Sequence, residues 1–182
     1  KIAFLGGIVG SVIVNIAFKV VKGKLSKKDM FCNITIEFEN KFKTLKAMID
    51  TGNLLKEPLS GNPVIVVEKQ ELQDLVPIKI LEETEKIIAG QYDMNLSEYA
   101  SRFRVIPFTS LGKENGLLLG LKIDNLHFEY DEQENTVKNV IVGIYNNRLS
   151  KSNSYNALIG LDILESPQSP IATAPLSKGV GT

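Results

Sequence analysis

Asp50, Thr51 and Gly52 stand directly behind the apolar run Ala47-Met48-Ile49. A carboxyl delivered at the end of a strand can hydrolyse a peptide bond when a second carboxyl is held beside it. Two like charges at that range cannot both ionise, so the pair shares one proton. One member then acts as base on a water while the other donates to the carbonyl oxygen. The residue types suit that task. Asp50 must leave its strand in a tight turn for its carboxyl to point into a cleft. Gly52 admits a close backbone approach, and the Thr51 hydroxyl can lock the turn. The same triplet also reads as a plain strand-ending turn, since Asp, Gly and Asn53 are common turn formers.

Other chemistries are poorly supplied. Cys32 is the only cysteine and His127 the only histidine, too few for a disulfide framework or a zinc cluster. Their separation also argues against a Cys-His nucleophilic site. Acidic and basic residues balance at 21 each. No Lys/Arg run interleaved with aromatics invites nucleic acid. No cofactor and no metal are expected. His127 in "LHFEY" is read as a strand-surface or edge residue. Asp162 in "IGLDIL" is read as a helix-terminus residue, favoured there by the helix dipole, rather than as the second carboxyl.

The elements that must hold Asp50 are short strands. "CNITIEFEN" alternates Ile34, Ile36 and Phe38 with Thr35, Glu37 and Glu39, the pattern of a half-buried strand. Strands are also expected over Phe42–Ile49 and Asn62–Glu68, the latter introduced by the turn "SGNP". "EKQELQDLV" and "IKILEETEKIIAG" switch to helical spacing, with Leu72, Leu75, Val76, Ile80, Leu81, Ile87 and Ile88 on one side. Pro77 separates these two runs and Gly90 stops the second. "QYDMNLSEYASR" is read as a loop or short helix. Strands return over Arg102–Ser110 and Leu117–Ile123, around the link "LGKENG", then in "LHFEY" and "VKNVIVGIY" around the polar turn "DEQENT". "RLSKSNS" is a loop before "NALIGLDILE". The expected fold is mainly β and of closed-barrel type, with a little helix.

The two ends differ from this middle. Ile2 to Val21 is apolar except for glycines, Ser11, Asn15 and Lys19, close to the ~20 residues of a transmembrane helix. Lys22, Lys24, Lys27 and Lys28 follow, a basic flank that stays on the cytoplasmic side. Residues 1–28 are therefore expected to be the C-terminal part of a membrane anchor. Residues 29–165 would form the globular domain. Residues 166–182, rich in Pro, Ser and Gly, would form a disordered tail.

"KAMIDTGNLLKEPLSGNPVIVVEK", "RVIPFTSLGKENGLLLGLKID" and "YNALIGLDIL" together resemble the sporulation sigma-E factor processing peptidases, aspartic peptidases of retroviral-protease type. The resemblance runs from about residue 1 to 165. It implies a retropepsin-like acid-protease barrel behind a last transmembrane helix. It also implies a homodimer in which each subunit gives one catalytic Asp50. Thr51 would brace the partner loop, while Gly52 and Asn53 line the substrate. Phe108, Thr109, Ser110, Leu111 and Gly112 would belong to a flap reaching to Gly116 that covers it. The implied substrate is a pro-sigma factor, trimmed of its N-terminal pro-sequence on the cytoplasmic face of the mother-cell membrane. The implied signal comes from a forespore protein acting on the membrane part. Two other readings stay open. One is another retropepsin-like protease with a different protein substrate; the other is a noncatalytic β-barrel interaction module.

Overall fold

In the strand β2 (Lys41–Asp50), buried Leu45 and Ala47 alternate with exposed Thr44 and Lys46, which puts one face on the core. Asp50 is its last residue. The computed structural model describes residues 30–91, 99–110, 113–131 and 133–166. The chain divides into the units Lys1–Phe31 and Cys32–Thr182, and the described residues lie almost wholly in the second. The expected anchor and tail fall outside them, apart from Ser166. Among the described residues no helix is long and apolar enough to cross a membrane.

β1 (Phe31–Phe38) joins β2 through Glu39 and Asn40, both at positive φ, 51° and 62°, as a two-residue hairpin of right-handed twist requires. β3 is Val64–Glu68, β4 Phe103–Ser110, β5 Lys113–Lys122, β6 Asn125–Tyr130, β7 Gln133–Val137, β8 Ile141–Tyr145 and β9 Ala157–Gly160. They form one nine-stranded sheet in the order β4-β5-β8-β3-β9-β2-β1-β6-β7. β3–β8 and β2–β9 are parallel pairs, and β9 is slotted between β2 and β3. The interior strand β8 is buried at Ile141 through Ile144, as a strand covered on both faces must be.

The mainly β architecture is as expected, but the pairing is not that of a closed barrel. β4 and β7 end the strand order, with no pairing between them among the described residues. Pro107 in β4 has no N–H to offer a further ladder, which suits an edge. Residues beside β4 reach the end of β1 and the start of β6 instead. In a flat sheet β4 and β6 would lie roughly 34 Å apart, at about 4.8 Å per strand. Yet β6 follows β5, the neighbour of β4, after only Ile123 and Asp124, so the sheet curls back on itself. Arg102 Nη1 meets Asp124 Oδ1 at 2.8 Å, and its guanidinium lies 5.6 Å over the Phe38 ring. The Glu39 amide also donates to Asp124 at 2.7 Å. That amide and Arg102 hold the Asp124 carboxyl below its ordinary range.

Four expected elements differ. "EKQELQDLV" forms only a 3-10 turn, Lys69–Leu72, followed by turns. Helices α1 (Ile78–Glu82) and α2 (Thr84–Ile88) are one turn each. The apolar positions still bury Leu72, Leu75, Val76, Ile80, Leu81 and Ile87. "DEQENT" is mostly the strand β7, because a polar sequence is tolerated at a sheet edge; the reversal begins at Asp131, φ 54°. "VKNVIVGIY" is cut at Asn139, φ 58°, into the end of β7 and the whole of β8.

Candidate active site

Asp50 ends β2 directly opposite Gly160, the last residue of β9, with Ala47 opposite Ala157 three residues earlier. Both alanines are fully buried, so the pair enters the site from the packed core. The turn beyond is tied internally. The Gly52 amide donates to Asp50 Oδ1 at 3.0 Å, and the Asn53 amide donates to the Asp50 carbonyl at 3.0 Å. Asn53 then sews the turn to the start of β3. Its Nδ2 donates to the Val64 carbonyl at 3.3 Å, and its Oδ1 accepts from the Leu55 amide at 3.2 Å.

Gly160 is required by a close approach. A Cβ there would lie 2.5 Å from the Asn53 carbonyl oxygen and 2.7 Å from Asp162 Oδ1. Gly52 differs from expectation. Within one chain a Cβ at Gly52 would meet only Asp50 Oδ1, at 3.4 Å, which is ordinary contact. Asp162 lies in the first turn of α3 (Leu161–Leu164), the place read for it. His127 is half-exposed on a strand surface, one of the two places read for it, and not at an edge. It sits in β6 between β1 and β7, its ring bridging Thr136 Oγ1 at 2.9 Å and Glu37 Oε2 at 3.0 Å.

A cleft of about 650 Å³ opens over Asp50, Gly52 and Asn53, with Phe108 and Thr109 of β4 among its lining. Asp50 and Asn53 are half-buried, and Thr51 is exposed outside the lining. Phe108 stands opposite Gly116, where a Cβ would run into the Phe108 ring. The β4–β5 hairpin is longer than expected. Pairing reaches Ser110–Lys113, with a register shift after Phe108, so most of the expected link "LGKENG" is strand. Ser110 lies in β4, while Leu111 and Gly112 fall outside the described residues.

Sequence reasoning missed the rest of the wall: Leu54, Leu55, Val66, Leu118, Tyr145, Asn147, Leu149 and Leu158. The only local sign was Tyr145-Asn146-Asn147, three hydrogen-bonding residues where an apolar strand ends. Among the described residues Asp50 is the one carboxyl that lines the cleft. The arrangement offers a rooted carboxyl, a trough with both apolar and polar walls and an aromatic from β4, with no second carboxyl among the described lining residues.

A family model described as sporulation factor SpoIIGA matches residues 1–163. The sporulation sigma-E factor-processing peptidase of Priestia megaterium is 28% identical over 132 residues, covering 72% of this chain and 43% of that protein. The protein of the same name from Bacillus subtilis is 25% identical over 118 residues, covering 63% of this chain and 38% of that protein. The chain thus spans less than half the length of these two relatives. No solved structure matches it. With the match running through both Asp50 and Gly160, the chain belongs to the SpoIIGA sporulation factor family, Peptidase_U4.

Proposed function

We propose that this chain is the proteolytic part of a sporulation sigma factor-processing peptidase, an aspartic endopeptidase completed by a second copy of itself. The observation that carries the reading is the placement of Asp50. It is a lone carboxyl at the end of a strand rooted in the core, in a cleft of about 650 Å³ lined by apolar and polar side chains. Two copies on a twofold axis would bring Asp50 and its twin together. The pair holds one proton. The ionised carboxyl takes a proton from water as its oxygen bonds to the scissile carbonyl carbon, and the protonated carboxyl gives its proton to the carbonyl oxygen. Collapse of the diol then breaks the C–N bond. The leaving nitrogen gains a proton, and the pair ends as it began.

In this account Thr51, exposed beside Asp50, braces the partner turn. Gly52, unhindered within one chain, faces the partner or the substrate. Asn53 lines the trough, and Phe108 through Gly112 cover it. The substrate is a pro-sigma factor that loses its N-terminal pro-sequence, bound extended along the cleft. Residues 1–28 anchor the domain on the cytoplasmic side of the mother-cell membrane. There, confinement to two dimensions raises the effective concentration of a weak dimer, and a forespore signal acts on the membrane part. Co-expression of the full chain with pro-sigma factor tests the reading. The wild type yields the shortened product, and Asp50→Ala lowers its rate ~10²–10⁴-fold or more at equal protein level. Undiminished processing by Asp50→Ala overturns it.

A further inference from the structure

Glu68 is a buried carboxyl that the proposed chemistry does not use. It is 1% exposed at the end of β3. Buried carboxyls are costly unless hydrogen-bonded, and both of its oxygens are engaged. Oε1 accepts from the Leu149 amide at 2.7 Å, and Oε2 accepts from Gln70 Nε2 at 2.7 Å. The first bond reaches 81 residues along the chain. It grips the segment that leaves β8 after Tyr145 and supplies Asn147 and Leu149 to the Asp50 cleft. That segment is held from the other side too, where Tyr155 Oη donates to the Leu149 carbonyl at 3.2 Å. Behind it, Ser150 is 5% exposed and accepts from the Ser154 amide at 3.2 Å.

Strand register links this clamp to the cleft floor. Glu68 stands opposite Tyr145, and Val66, two residues earlier, stands opposite both Gly143 and Leu158. Val66 and Leu158 line the cleft. Glu68 therefore lies on the strand that carries the floor and holds the backbone of the wall.

We propose that Glu68 is a positioning residue for substrate selection: it fixes Asn147 and Leu149 at the cleft so that they read one substrate side chain. This rests on the peptidase reading above. Leu149 and Leu158 offer an apolar contact, and Asn147 places an uncharged amide on its exposed rim. The preferred peptide brings an apolar side chain to the wall with an uncharged hydrogen-bonding neighbour.

The test measures cleavage of a library of extended peptides, varied around an apolar residue, by the full chain and its variants. Asn147 is exposed, so charging it spares the fold. Asn147→Asp shifts preference toward Lys- and Arg-bearing peptides by about fivefold, near the most an exposed ion pair supplies. Asn147→Lys shifts it as far toward Asp and Glu. Glu68→Ala raises KM for the preferred peptide more than it lowers kcat and flattens the ranking. Glu68→Gln retains the ranking, because its oxygen still accepts from Leu149 while Gln70 turns its own oxygen to the new amide. Unaltered preferences in both Asn147 variants, or a Glu68→Ala protein that loses kcat alone, overturn the positioning role. A wild type that cleaves no peptide overturns the peptidase reading beneath it.

Discussion

Asp50 and Gly160 face each other across the parallel pair β2–β9, with the Asn53 carbonyl lying where a side chain at 160 would go. The turn that aims Asp50 is thus packed against bare backbone. Gly160→Ala places a methyl 2.5 Å from that oxygen. The expected cost is about 1–3 kcal/mol of stability by overpacking, with processing lost more steeply than stability. Urea unfolding beside a cleavage assay checks both.

Glu57 gives the loop between β2 and β3 a pH dependence. It is 2% exposed. The Ser60 hydroxyl, then the Leu59 and Ser60 amides, donate to its carboxyl and hold it below 4.5, with the Arg104 charge assisting against burial. A carboxyl depressed by folding stabilises the fold above its unfolded value, and that stability disappears as pH falls through the lower folded value. The wild type is therefore expected to exceed Glu57→Gln in Tm at neutral pH, with the gap closing below about pH 4.5. Parallel melting curves from pH 7 to 3 measure it.

Cys32 is expected to be a slow thiol. Burial pushes it from 9.0 up to about 11, which leaves ~100-fold less thiolate at neutral pH, and the thiolate is what reacts. Alkylation by iodoacetamide is expected to run at least ~10-fold slower in the native protein than in urea. Equal rates would place the thiol in open solvent.

Legibility followed the range of the interactions. The alternation in β1 and β2 and the placing of Asp50 at a strand end are local properties, and period-two patterning carries them. Gly160 stands directly behind the apolar run Ala157-Leu158-Ile159, but the reason for a glycine there, the Asn53 carbonyl, lies more than a hundred residues away. The insertion of β9 between β2 and β3, and the Glu68–Leu149 clamp, depend on pairing between segments far apart in the chain. No local pattern encodes which strand becomes whose neighbour. β7 was hidden differently. Its polar residues satisfy an edge as well as a turn, so composition could not separate the two. The curled, open pairing was missed because many short strands suit a closed barrel equally well.

The central claim, one Asp50 from each of two copies, is tested most directly by mixing wild-type chain with the Asp50→Asn variant at equal, fixed total concentration and following pro-sigma factor cleavage after subunits exchange. If each active centre needs two intact carboxyls, activity follows the square of the wild-type fraction and falls to roughly one quarter in an equal mixture. Activity of one half, in simple proportion to the wild-type chain present, would show that a single Asp50 suffices and contradict the account.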